Sequence, residues 1–178
     1  MYEELVEKCK EAGIHECCFL KASEVPFEPE VRTMCEANRC GLYGKKWCCP
    51  PGVGTFEECR EKCLKYENVF VFSTKTDLED SFDFEGMTEA GKRHKVVSNA
   101  VKKLFEEYVS KEILVLSNEG CDNCKECTYP NAPCRFPDKM TPSVESYGIM
   151  VSKETAKGKI HYINGANTVT FFSNIFFN

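Results

Sequence analysis

The stretch Gly120–Pro137, G-C-D-N-C-K-E-C-T-Y-P-N-A-P-C-R-F-P, holds a concentration of thiols that could do chemistry. Cys121, Cys124 and Cys127 fall three residues apart, so a looping backbone can turn their sulfurs toward one centre; Cys134 follows between Pro133 and Arg135. Thiolates at C-x2-C-x2-C spacing, with a further one after a proline-punctuated gap, suit the corners of a 4Fe-4S cube. Bacterial ferredoxin runs share the first spacings, although their last cysteine comes sooner and is followed directly by proline. Zinc is the rival occupant. Structural zinc knuckles usually come as two separate C-x2-C pairs, and three cysteines this tight crowd a tetrahedral ion. The spacing therefore favours iron–sulfur over zinc, and says almost nothing about a substrate.

A second cysteine region spans Met34–Cys63, M-C-E-A-N-R-C-G-L-Y-G-K-K-W-C-C-P-P-G-V-G-T-F-E-E-C-R-E-K-C. Cys35 and Cys40 are followed by Gly41 and Gly44, which let backbone amides approach a sulfur or an anion closely. Cys48-Cys49-Pro50-Pro51 ends the loop, Trp47 can shield a cluster from water, and Arg39, Lys45 and Lys46 offset thiolate charge. Cys59 opens two readings. It could project from the first turn of the next helix as the last ligand of this site, or it could be a core residue like Cys63 one turn on. Cys9, Cys17 and Cys18 read as small buried hydrophobes.

Composition narrows the setting. The chain has 178 residues, enough for a single domain, 1–178, with a sizeable core. A net charge of −5 argues against a general nucleic-acid binder, which shows a basic face. The beginning, M-Y-E-E-L-V-E-K-C-K-E-A-G, is acidic and amphipathic and does not read as a secretory signal. No apolar run reaches bilayer-spanning length; the tail Val169–Phe177 is interrupted by Ser173 and Asn174. These features predict a cytoplasmic protein, where 13 cysteines in reduced form point to metal rather than disulfides.

The elements that must position the thiols follow from periodicity. Leu5, Val6, Cys9 and Ala12 predict a helix stopped at Gly13, and His15–Ala22 a strand. Val25–Pro29 reads as an irregular connector. Thr55-Phe56-Glu57-Glu58 has the form of a capping box and starts a helix carrying Phe56, Cys59, Cys63 and Tyr66 on one face. Val69–Ser73 and Glu112–Leu116 read as buried strands, with a helix over Gly91–Ser110 between them. His94 at the start of that helix reads as a solvated or capping residue. In the acidic stretch Asp77–Met87, Phe82 and Phe84 call for somewhere to pack. Tyr147–Val151 and Lys159–Phe172 look like further strands, the last a hairpin around Asn164-Gly165. The order predicts an α/β fold: a single-domain layered sheet with helices, its cysteine-rich cluster loops at one edge of the sheet. If the strands are parallel, the acidic loop and Gly120–Pro137 leave from the same end.

Several stretches together resemble a prokaryotic family of predicted cysteine-rich metal-binding proteins: Y-G-K-K-W-C-C-P-P from Tyr43, G-T-F-E-E-C from Gly54, D-S-F-D-F-E-G-M from Asp80, and P-C-R-F-P with P-S-V-E-S-Y-G-I from Pro133 onward. The resemblance implies metal binding through Cys35, Cys40, Cys49, Cys121, Cys124, Cys127 and Cys134, with Cys59 also matching. It implies no particular reaction. Cys48 blurs which neighbour before the proline pair is the ligand; Cys49 is preferred because it directly precedes Pro50. The expectation is a protein carrying two 4Fe-4S clusters that exchanges electrons with a redox partner protein. Two alternatives stand beside it. One is a redox enzyme whose first cluster, lacking Cys59, offers an open iron to a small-molecule substrate, with His94 or Asp80–Glu85 as proton donors. The other is a zinc-stabilised interaction domain.

Overall fold

The computed structural model describes residues 2–178. In chain order the elements are α1 (Glu3–Glu11), β1 (Cys17–Lys21), α2 (Pro29–Glu36), α3 (Phe56–Leu64), β2 (Asn68–Asp77), α4 (Phe84–Tyr108), β3 (Leu114–Ser117), α5 (Val151–Gly158) and β4 (Thr168–Phe177). The strands form a four-stranded sheet in the order β1-β2-β4-β3. Every neighbouring pair is antiparallel, which replaces the expected parallel arrangement. The reason lies in the apolar tail. β4 inserts between β2 and β3, so these two run the same way without touching, and α4 carries the chain from one to the other over β4. Both strands consequently discharge their loops in one direction, the acidic loop after Asp77 and the cysteine loop after Ser117. β3 is an edge strand, so that cysteine loop sits at one edge of an α/β layer.

Alternation along β2 divides the core. Val69, Phe70, Val71 and Phe72 are all fully buried, odd numbers facing one way and even the other. Phe70 and Phe72 pack with Leu5 and Cys9 of α1, Val97, Val101 and Phe105 of α4, and Ile175 and Phe177 of β4. Val69 and Val71 join Cys59 and Cys63 of α3, Tyr147, Val151, Phe172 and Phe176 on the opposite face. Each fully buried aromatic or branched side chain stabilises the fold by about 1.5–3 kcal/mol through removal from water.

Several local expectations change. α4 starts at Phe84 rather than Gly91 because the Asp83 Oδ1 atom accepts the Gly86 N–H at 2.8 Å and caps the helix. Phe82 and Phe84 do not pack; they are 77% and 69% exposed. α2 occupies the end of the stretch read as a connector, with Pro29 in its first turn, where the missing N–H costs nothing. The strand expected at Tyr147–Val151 is a short turn of 3-10 helix, Glu145–Tyr147, followed by α5; only an isolated bridge between Phe27 and Ile149 remains of it. The hairpin at Asn164-Gly165 is absent, and the Asn164 side-chain amide instead donates to Thr170 Oγ1 at 3.0 Å.

One buried polar pair spans the layers. Asn174 Nδ2 of β4 donates to Glu154 Oε1 of α5 at 2.7 Å, while Glu154 Oε2 and Asn174 Oδ1 have no partner among the described residues. Burial, reinforced by the Glu145 charge, pushes the Glu154 carboxyl up to about 8 from its ordinary 4.5, against the opposing Asn174 hydrogen bond. The folded chain thus keeps a proton that the unfolded chain releases. The stability tied to this group is intact below pH 4.5 and declines as pH rises toward 8, by at most about 1.4 kcal/mol per unit. Glu154→Gln should flatten that decline, read as urea midpoints at pH 5 and pH 8. An unchanged slope would show that the carboxyl is ionised in the folded protein.

Candidate metal centre

Two loops are tied together at the β3 edge. The first is closed on itself by the Gly44 N–H donating to Pro50 O at 2.9 Å, with Gly44 at φ 69°, a conformation that a side chain would strain. Beyond it, the Thr55 cap forms as expected: the Glu58 N–H donates to Thr55 Oγ1 at 3.1 Å and the Thr55 N–H to Glu58 Oε2 at 2.7 Å. The second loop leaves β3 through Gly120, at φ 70°. Lys46 Nζ donates to Cys121 O at 2.8 Å and Trp47 Nε1 to Ala132 O at 3.1 Å. The Trp47 ring meets Tyr129 edge-on at 4.9 Å. Trp47 therefore covers the second cysteine loop rather than the one from which it comes.

The thiols divide between two clefts. Cys121, Cys124, Cys127 and Cys134 line one, together with Cys48, Lys46, Trp47 and Phe136. Cys35, Cys40 and Cys49 line the other, an open cleft of about 700 Å³ whose wall includes Arg39, Tyr43, Glu119 and Glu145. The neighbours Cys48 and Cys49 thus serve different clefts, with their sulfurs 3.7 Å apart. Hydrogen bonding from Cys48 is the largest influence on Cys49 and lowers its thiol below the ordinary range. Burial raises Cys35, with the Glu145 charge adding to it.

Cys59 is not brought to either cleft. It is fully buried among Val53, Cys63 and Tyr147, its sulfur held by Arg32 Nη1 at 3.9 Å and by Val53 O at 3.6 Å. Arg32 itself is fixed by donating to Ser146 O at 3.1 Å and Gly54 O at 2.9 Å. Cys9 and Cys63 are fully buried, while Cys17 and Cys18 are half-buried at the margins of the two cores.

Polar groups that the sequence reading did not single out surround the first cleft. Burial pushes the Glu145 carboxyl up to about 7 and also raises Glu119. His94 is neither solvated nor a cap. It is fully buried, with Nδ1 2.7 Å from Thr74 Oγ1 and Nε2 2.8 Å from Ser173 Oγ. Ser173 Oγ donates to Ser117 Oγ at 2.7 Å, and Ser117 Oγ donates to Glu119. A hydrogen-bonded chain therefore runs from the centre of the sheet to the cleft wall. Burial lowers the His94 ring to about 4, so the imidazole is neutral near pH 7. The clue available in the sequence was the helical stripe itself, on which His94 lies one turn before Val97 and Val101.

Among the described residues, no three Cys, His, Asp or Glu side chains are close enough together to form a ready-made site for a single ion. The donor set nonetheless fits a thiolate-bound metal group: soft sulfur ligands, glycine turns and nearby lysines. The comparison with known families agrees, for residues 18–177 match the family described as Predicted metal-binding protein (DUF2284). The chain belongs to that family. No curated protein and no solved structure matches it. The family description extends to metal binding, so metal identity and chemistry rest on the thiols themselves. Among the described residues, no helix is long and apolar enough to cross a membrane.

The position of Cys59 gives a direct test. Cys59→Ala should keep the metal content of the wild type and lower stability by about 1–3 kcal/mol through a small buried void. Loss of metal in a variant that stays folded would place Cys59 among the ligands.

Proposed function

We propose that this member of the family is a redox protein that holds two thiolate-ligated iron–sulfur centres and works in a reducing compartment. The second centre is assigned to Cys121, Cys124, Cys127 and Cys134, the first to Cys35, Cys40 and Cys49. The supporting observation is the sorting of the thiols into two clefts that meet at a common wall. Such centres, when bound, supply one-electron chemistry over a wide range of potentials. The chain contributes the rest. Trp47 and Tyr129 cover the second loop against water, and Lys46 lies beside its cleft as a compensating positive charge.

The buried position of Cys59 favours a refinement of this reading. With only three thiols, the first centre has a corner free, and the cleft of about 700 Å³ leaves room there for a small molecule. Glu145 and Glu119 stand in the wall as candidate proton donors, in place of the exposed Asp80–Glu85 loop. An enzyme acting on a small molecule is thereby supported over a simple electron carrier. A single thiolate-bound ion such as zinc is the competing occupant of the second cleft, where the space between the side chains is about 20 Å³.

Purification without oxygen, with iron, sulfide and zinc counted per chain, tests the proposal. About eight iron with matching sulfide supports two cubes, the first with or without an open corner, and about seven supports a three-iron first site. Zinc without sulfide would falsify the redox reading. Cys124→Ser should lose the second centre and its share of the iron, because a hydroxyl is a poor replacement for a bound thiolate. Full iron retention in that variant would remove Cys124 from the ligands.

A further inference from the structure

The wall between the two clefts is one peptide thick on each side. Cys48 and Cys49 are adjacent, yet Cys48 lines the second cleft and Cys49 the first. On the facing segment Asn118, Glu119 and Gly120 line the first cleft, and Cys121, the next residue, lines both the second cleft and a groove beside Lys95. This partition is held in place by backbone hydrogen bonds. The Ser143 N–H donates to Cys48 O at 3.4 Å, and the Cys49 N–H donates to Lys46 O at 3.2 Å. The Cys48–Cys49 peptide is anchored at both ends, so neither side chain reaches the other cleft without breaking one of these contacts.

The sulfurs continue across the wall. Cys48 and Cys121 line the same cleft, and Cys48 Sγ lies 3.7 Å from Cys49 Sγ. Cys48, the middle sulfur, is 1% exposed and shut away from water, while Cys49 and Cys121 are half-buried. A buried thiol can pack as a small hydrophobe, as Cys9 and Cys63 do, but Cys48 also lies between two groups of metal-binding candidates. It offers a short, polarizable path between them.

We infer that Cys48 belongs to the second site and that the sulfur chain Cys121–Cys48–Cys49 joins the two metal sites into one electronically coupled pair. The inference rests on the two-centre reading above, and it assigns the neighbours in W-C-C-P-P to opposite centres. Hydrogen bonds to ligating sulfurs are among the factors that set cluster potentials, so a thiol that lines the second cleft and lies 3.7 Å from the Cys49 sulfur acts on both centres.

The test compares paramagnetic resonance spectra of the fully reduced full-length chain with those of single-site variants. Cys49→Ala reports the second centre alone, and Cys124→Ser the first alone. The wild-type spectrum should contain broadened interaction features that the sum of the two variant spectra lacks. Cys48→Ala should change the signal that Cys124→Ser abolishes, and Cys48→Ser, which keeps the size and a hydrogen-bond donor, should restore part of it. A wild-type spectrum equal to the sum overturns the pair. So does a Cys48→Ala variant that is spectrally unchanged, loses the signal that Cys49→Ala loses, or loses both with a native far-ultraviolet spectrum. If Cys48→Ala does not fold, Cys48→Ser and the sum comparison decide alone. A wild-type chain that takes up zinc and no sulfide fails at the earlier step, sinking the two-centre reading and this pair with it.

Discussion

The structure depends on β4 lying between β2 and β3. Ten residues of β4 pair with β2, from Asn68 opposite Phe177 to Asp77 opposite Thr168, and four pair with β3 on the other side. Without that strand β3 has no neighbour in the sheet, and the cysteine loop that follows it has no fixed base. The same strand supplies Ser173 to the His94 network and Asn174 to Glu154, so each face of the sheet carries one buried polar tie. Because hydrogen bonds of this kind are worth little net but are costly to leave unmade, they act chiefly to fix register. A one-residue slip of β4 would exchange Ser173 and Asn174 between faces and leave both ties broken.

The grouping of the thiols was legible because cysteines close in sequence announce themselves by spacing. Cys121, Cys124 and Cys127 line one cleft with Cys134, and Cys35, Cys40 and Cys49 line another. The helix at Thr55 was legible for the same kind of reason, since a capping box is a local device that needs no tertiary information. Cys59 was not, because a thiol one turn into a helix has the same sequence signature whether it faces a loop or the core. What settles its placement is Arg32, remote in sequence, which occupies its sulfur.

The strand order lay beyond the sequence pattern. A buried strand reads as a continuous apolar run whether its neighbours are parallel or antiparallel, and strand–helix–strand alternation suggested the former. Nothing local in Val169–Phe177 says that it enters between two strands far earlier in the chain. The burial of His94 and of Glu145 was not legible for a related reason. Their burial is produced by the layers that close over them, and a lone titratable residue in a helix or turn carries no mark of that in advance.

The position of β4 also has a bearing on the chain during synthesis. The segment Thr168–Phe177 is made after every cysteine, yet it is the piece that seats β3 beside the rest of the sheet. While it is still within the ribosome, the thiols of the two loops hang from a half-built layer, with no shared wall to sort them. Pairings of such long sequence separation are also slow to form. The nascent protein therefore passes through an interval in which the two cysteine loops have no common wall to sort their thiols, and it ends when β4 pairs with β2 and β3.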